Sequence, residues 1–586
     1  MQTFKKILFL LTPQERKRAL LLLIMILIMA LTDMVGVASI LPFMTVLINP
    51  SFIETNIILN YLFQISNIFG VENNQQFIFV LGIFVFVLFV FSLCLKTFTM
   101  YAQYRFVQMR EYSISKRLIE IYLHQPYVWF LSRNSADIEK NIFIEVGQVV
   151  GGGLSPLLFL ISNSLIATSL ITLLILVDPK LALIVSLSLG GSYFFIFYCA
   201  RNYLRRAGQQ RIINNQLRFT AVSEAIGAIK EVKFGGLEET YIKSFSKSAY
   251  IYAQTVALAS IIGNLPRYIL ETIAFGGILL IILFIVGQTS NFENVIPTLS
   301  LYVFACYRLM PALQGIYTSF TQLTFAGPSV DRIHEDFKSL KSFSKKQDQG
   351  ILYLNKSISL KNIYYNYPNT SRTALKNINL TIPARSTVAL VGATGSGKTT
   401  TVDIILGLLE PHIGTLEVDG VIITKHNSRS WQNSIGYVPQ HIYLADNTIA
   451  ANIAFGVETK DINQEALKNA AKIANIHEFV TNELPQQYQT TIGERGVKLS
   501  GGQRQRIGIA RALYHKPQVL IFDEATSALD NQTEKAVMEA VYNLKKNITI
   551  ILIAHRLTTL GQCDHIFVFE KGEVKKQDSS FIKKKP

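Results

Sequence analysis

Residues 77–95, 154–177 and 181–200 contain no charged side chain. Each is about 20 residues long, the length an α-helix needs to cross a hydrocarbon layer roughly 30 Å thick. Nothing else restricts the possible folds as tightly, because uncharged runs of that length belong in a bilayer. Three further runs carry one charge each: 19–48 has Asp33, 268–287 has Glu271 and 295–312 has Arg308. Six transmembrane helices are therefore predicted, all in the first part of the chain. For the last two runs the alternative is a pair of buried helices in a soluble domain. The overall composition, 49% hydrophobic and only 16% charged, is unusual for a soluble chain of 586 residues.

The flanks of these runs set an orientation. Five basic residues precede the first (Lys5, Lys6, Arg16, Lys17 and Arg18), seven lie in 96–153 and ten in 201–267, whereas 49–76 and 288–294 hold none. Lys and Arg favour the cytoplasmic side, so both termini are expected there. The three basic segments account for +12 of the net charge of +16. Most of the positive charge is thus topological, and no nucleic-acid partner is needed to explain it. Contact with anionic lipid headgroups is plausible chemistry for such flanks. The connections 96–153 and 201–267 are too long for plain loops, so the membrane helices are expected to continue beyond the bilayer. No signal peptide is evident; the first run is too long and is followed by more spans. The four cysteines, Cys94, Cys199, Cys306 and Cys563, are scattered and show neither a disulfide framework nor metal-ligand spacing. A polar, Lys-rich stretch, 327–350, is read as a linker between a membrane domain (1–326) and a second domain (351–586).

The second domain carries a phosphate-binding loop, Gly-Ala-Thr-Gly-Ser-Gly-Lys-Thr at 392–399. Gly392, Gly395 and Gly397 allow a tight turn whose N–H groups point at phosphates, together with Ala393, Thr394, Ser396 and Thr400. Lys398 would reach the β- and γ-phosphates, and the Thr399 hydroxyl would hold Mg²⁺. The apolar run 519–522 ends in Asp523 and Glu524, as a buried parallel strand delivering carboxylates to a crevice does. Asp523 is read as a Mg²⁺ ligand and Glu524 as the group that polarises the attacking water. By itself the loop says only that a nucleoside triphosphate binds.

A second motif, Leu-Ser-Gly-Gly-Gln at 499–503, narrows this. It resembles the signature of ATP-binding-cassette (ABC) proteins, and the resemblance covers the whole of 351–575. In that family Ser500, Gly501, Gly502 and Gln503 touch the γ-phosphate of ATP held by a partner subunit. The resemblance further implies that Gln440 is the Q-loop residue linking Mg²⁺ and water to the membrane half. It also implies that His555 contacts the γ-phosphate, that Ser527-Ala528-Leu529-Asp530 is the D-loop, and that Tyr367 stacks on adenine, with Tyr364 and Tyr365 as alternatives. Glu524 is acidic, so hydrolysis rather than binding alone is expected. The membrane half resembles the exporter arrangement, with loop tips near 126–135 and 235–240. Thr-Ile-Gly-Glu-Arg-Gly at 491–496 resembles the X-loop of exporters. The implied fold is multi-domain: an all-α six-helix transmembrane domain followed by an α/β P-loop ATPase domain, with ATP and Mg²⁺ as ligands and a second copy of the chain as partner. A heterodimer with a related half-transporter is the alternative.

The stretches Pro-Arg-Tyr-Ile-Leu-Glu at 266–271 and Tyr-Arg-Leu-Met-Pro at 307–311, with an amphipathic outer segment at 52–69, resemble bacterial flippases for lipid-linked oligosaccharides. That implies an amphiphilic, lipid-linked glycan as cargo. Arg267 and Arg308 are candidate contacts for an anionic headgroup. Arg267 and Glu271 are also spaced i, i+4, as a local ion pair is, and both readings stay open, as they do for Asp33. The competing function is export of peptides or hydrophobic small molecules. The six spans and their charge asymmetry nearly exclude a soluble ABC ATPase.

Overall fold

The computed structural model describes residues 2–67, 71–177, 179–288, 296–340, 350–368, 370, 373–493, 496–524, 530–544, 547–554 and 561–578. The chain divides into two compact units: Met1–Gln125 with Arg133–Ser342, and Pro126–Ser132 with Phe343–Pro586.

The first unit is all helix among its described residues. Thr12 starts the helix Pro13–Ala38 with a reciprocal cap: its hydroxyl accepts from the Glu15 N–H, and Glu15 accepts from the Thr12 N–H. The run 19–48 is not one helix. It breaks at Ser39 and resumes as Ile40–Ile48. Pro42 is the reason, because it has no N–H for the carbonyl of Ala38. Asn74–Leu123 is a single helix reaching well past 77–95, as the long connections require. Its buried residues, among them Phe77, Leu81, Val85, Ser92, Thr99, Gln103 and Val107, recur at helical spacing and face the other helices. Phe79 and Phe86 point outward and are 71% and 67% exposed, as lipid-facing side chains are in a chain without its bilayer.

Three helical stretches, Pro13–Ile48, Asn74–Leu123 and Ser135–Val177, are long and apolar enough among the described residues to cross a membrane. The runs 181–200, 268–287 and the described part of 295–312 fall inside the continuous helices Pro179–Gly227, Glu238–Gln288 and Ile296–Ser339. The expected linker is helical as far as Ser339. The cause is a helical stripe, Ala326, Ser329, Val330, Ile333 and Asp336, all buried in the first unit despite the polar sequence around them. Charge is buried here in pairs: Glu145 meets Arg211 at 2.9 Å, and Arg110 meets Glu15 at 2.7 Å. Tyr122 donates to Asp336.

The second unit holds two sheets. The strands are β1 (Ser357–Asn366), β2 (Thr373–Pro383), β3 (Thr387–Gly392), β4 (Ile413–Val418), β5 (Val421–Ile422), β6 (Ile435–Val438), β7 (Val519–Asp523), β8 (Thr549–Ile553), β9 (His565–Glu570) and β10 (Glu573–Asp578). The first sheet is antiparallel in the order β2-β1-β4-β5. The second runs β10-β9-β3-β8-β7-β6, parallel except for the terminal β10–β9 pair. β7 and β8 are buried along their whole length, which is why both read as unbroken apolar runs. The helix Tyr127–Leu131 belongs to this unit rather than to the membrane helices that flank it in sequence, and Val128 packs on the core formed by β1, β2 and the helix Lys398–Ile405.

Candidate functional site

The loop 392–399 joins β3 to the helix Lys398–Ile405, at the carboxyl end of the parallel sheet where such folds bind ligands. Gly397 caps the helix with φ +109°, and a Cβ on it would lie 2.7 Å from Leu375 Cδ2, so only glycine fits. The Lys398 side chain is folded back: Nζ donates to the carbonyls of Gly392 and Ala393 at 2.8 and 3.0 Å. Burial pulls its ammonium below the ordinary lysine range, against the opposing attraction of Glu524 and Asp523. Ser396 Oγ is buried without a hydrogen-bond partner among the described residues. A charged donor at the mouth and an orphaned hydroxyl in the loop wall both fit a phosphate.

β7 carries the carboxylates. Asp523 ends the strand and is buried, and Tyr437, from the adjacent β6, donates its hydroxyl to Asp523 Oδ2 at 3.3 Å. Glu524 follows in a left-handed backbone conformation, φ +51°, which turns its side chain out of the strand line. Its Oε2 accepts from Gln440 Nε2 at 2.7 Å. The two residues lie far apart in sequence but on loops that leave neighbouring parallel strands, so the sheet joins them. Thr399 is exposed at the start of the helix.

Asp403 was not legible as part of this site. It sits one turn along the helix Lys398–Ile405, and burial together with the charge of Asp523 pushes its carboxyl up to about 6. Tyr437 was missed too. No sequence signal marks either, because both depend on the packing of β6, β7 and the helix.

Of the three tyrosines considered for the adenine ring, Tyr367 is half-buried and its hydroxyl lies 3.1 Å from Thr400 Oγ1, beside the loop. Tyr365 is 2% exposed, with its ring edge-on to Tyr367, so it has no face left for a base. Tyr364, its neighbour on β1, points to the other side of the strand.

Ser500 caps the helix Gly501–Tyr514 through a reciprocal pair: its Oγ accepts from the Gln503 N–H, and Gln503 Oε1 accepts from the Ser500 N–H. The helix start, with Gly501 and Gly502 in its first turn, presents free N–H groups. No hydrogen bond among the described residues links 500–503 to the loop 392–399 of the same chain. His555, Ser527, Ala528 and Leu529 of the expected D-loop, and Glu494 and Arg495 of the expected X-loop, lie outside the described residues.

In the first unit Arg308 and Arg267 are held apart on separate carboxylates. Arg308 Nη1 is 3.0 Å from Asp33 Oδ1, joining the last span to the first, and Ser92 donates to the same oxygen at 3.2 Å. Arg267 pairs with Glu271 at 2.7 Å on an exposed helix face. The outer segment 52–69 forms the helices Phe52–Thr55 and Ile57–Asn67 in its described part, with Ile57 and Ile58 88% and 71% exposed.

The profile of the family described as ABC transporter matches residues 375–527. The ATP-dependent lipid A-core flippase of Cupriavidus pinatubonensis is 31% identical over 455 residues, spanning 77% of this chain and 76% of its own. The protein of the same name from Vibrio cholerae is 30% identical over 461 residues, 78% of each chain. Both alignments are longer than the ATPase domain and reach into the membrane helices. A bacterial Atm1-family ABC exporter solved with ATP bound shares the fold, with a TM-score of 0.78 and 21% identity over 97% of this chain and 96% of its own. The narrower resemblance to flippases of lipid-linked oligosaccharides finds no support here, since these relatives carry a different name.

Proposed function

Because this chain belongs to the ABC transporter family, as a half-transporter of the exporter type that couples ATP hydrolysis to transport across a membrane, we propose that it flips an amphiphile with a lipid anchor and a glycan headgroup from the cytoplasmic side outward. The observation that carries this reading is that the likeness to lipid A-core flippases extends beyond the ATPase domain into the helices that would enclose the cargo. The membrane would be the bacterial inner membrane, with both termini cytoplasmic, on the charge asymmetry of the flanks.

The nucleotide chemistry follows from the chain's own groups. Lys398 leaves the carbonyls of Gly392 and Ala393 for the β- and γ-phosphates, exchanging two neutral acceptors for charged ones. Thr399, Gln440 and Asp523 fit a Mg²⁺ ion, which would neutralise the phosphate oxygens. Tyr437 fixes the orientation of Asp523. Glu524 orients the attacking water and accepts its proton, while Gln440, already hydrogen-bonded to Glu524, holds that carboxylate in place. Tyr367 supplies the ring against adenine, and His555 the contact to the γ-phosphate. Ser500, Gly501, Gly502 and Gln503 would close on ATP bound by a second copy, so the working unit is a homodimer with two equivalent sites.

Arg267 is exposed and would meet an anionic headgroup while paired with Glu271. Arg308 can meet such a headgroup only by giving up Asp33 for it. The test is ATPase stimulation of the protein in liposomes by lipid A, polyprenyl-diphosphate glycans, peptides and apolar drugs. Stimulation by one of the first two is expected. A response to peptides or drugs alone would overturn the cargo class while leaving the ATPase reading intact. Native mass spectrometry should show two identical chains, and an obligate different subunit would refute the homodimer.

A further inference from the structure

Pro266 lies inside the helix Glu238–Gln288. It has no N–H for the carbonyl of Ile262, four residues back, and its ring crowds that oxygen. The carbonyl of Gly263 lies next to it in the same turn. Both oxygens find donors on a different helix. Tyr317 donates its hydroxyl to Ile262 O at 2.8 Å, and Gln314 Nε2 donates to Gly263 O at 3.0 Å. Gln314 and Tyr317 are three residues apart, so they share one face of Ile296–Ser339. Gln314 is itself oriented by Tyr193, whose hydroxyl donates to Gln314 Oε1 at 2.8 Å and whose ring lies 5.4 Å from that of Tyr317. Three side chains thus serve this turn: Tyr317 and Gln314 meet the two carbonyls, and Tyr193 orients Gln314.

The turn that follows the break carries Arg267 and Glu271. The helix that carries the clamp runs on to Ser339, shortly before the second unit begins at Phe343. A proline-broken turn held by side-chain donors can bend without leaving its carbonyls unpaired, because the donors are free to follow. We propose that Gln314 and Tyr317 are positioning residues for transport: they clamp the Pro266 break so that movement of Ile296–Ser339 in the ATP cycle reorients the turn bearing Arg267 and Glu271. The inference rests on the chain being an ATP-driven transporter and not on the identity of its cargo.

The experiment uses the full chain in nanodiscs, with exposed Cys94 and Cys199 replaced by Ser. A single reporter cysteine, Tyr268→Cys, is placed on the exposed turn. Its maleimide labelling rate is measured without nucleotide and after trapping with ATP and vanadate. The two rates should differ in the parent. In Gln314→Leu/Tyr317→Phe the difference should vanish, while vanadate trapping, which reads the ATPase reading separately, persists. Adding Pro266→Ala restores the missing N–H, so the melting temperature should recover but the labelling difference should not. A labelling difference that survives the double substitution overturns the proposal. So does one that returns in full with Pro266→Ala, since the clamp would then only mend the helix. Loss of vanadate trapping in the parent would instead refute the ATPase reading.

Discussion

Replacing Arg308 separates two roles that its sequence position leaves tangled. Its guanidinium lies 3.0 Å from Asp33 Oδ1 and 5.7 Å from the centre of the Phe89 ring, with Asp33 only 4% exposed. Arg308→Met keeps most of the apolar stem and strands the carboxylate. Removing one partner of a buried pair costs about 3–5 kcal/mol. Ser92 Oγ remains on Asp33 Oδ1 at 3.2 Å and keeps one hydrogen bond in place, so the lower end, about 3 kcal/mol, applies. Asp33→Asn alone strands the cation, which is less buried, at 15% side-chain exposure, and should cost about 2 kcal/mol. The double variant leaves neither charge, so its cost should fall to about 1 kcal/mol, a coupling of about 4 kcal/mol. The assay is thermal unfolding of the four proteins in one lipid composition, with transport of lipid A or a polyprenyl-diphosphate glycan measured alongside. If the pair only ties the first span to the last, stability and transport return together in the double variant. If Arg308 exchanges Asp33 for a headgroup phosphate, stability returns and transport does not. A coupling near zero would refute the reasoning, because the 3.0 Å pair would then carry no energy.

Glu524→Gln should retain ATP binding but slow hydrolysis at least about 100-fold, because an amide cannot take the proton of water; phosphate release at wild-type rate would remove Glu524 from that role. Lys398→Ala should weaken binding of a fluorescent ATP analogue itself, and an unchanged dissociation constant would contradict its reach to the phosphates. Tyr437→Phe should raise the Mg²⁺ concentration for half-maximal ATPase several-fold with little change in kcat, since it removes one hydrogen bond that orients Asp523; an unaltered metal dependence would show that the hydroxyl is idle. Asp403, raised to about 6 by burial and by Asp523, binds its proton more tightly folded than unfolded. Its contribution to stability is therefore full below the unfolded value near 3.8 and is lost as pH rises through about 6. Asp403→Asn should accordingly stabilise the nucleotide-free protein by up to about 3 kcal/mol at pH 7.5 and flatten stability between about pH 4 and 6, as read by thermal unfolding across that range.

The apolar runs, the loop at 392–399, the strand ending in Asp523 and Glu524 and the signature at 499–503 were all legible in the sequence. Each is local: hydrocarbon thickness sets the length of a span, and a phosphate cradle needs glycines within one turn. Tertiary structure decided what depends on separate elements meeting. It carried the last helix to Ser339 through a polar stretch, because buried partners waited at helical spacing. It placed Gln440 on Glu524 and Tyr437 on Asp523, since adjacent parallel strands come from distant sequence. It also assigned Arg267 and Arg308 each a carboxylate and gave the carbonyls of Ile262 and Gly263, beside Pro266, donors on another helix. Charge and hydrogen-bond partners inside a low-dielectric domain are chosen by proximity in space, and the order of residues along the chain does not encode that proximity.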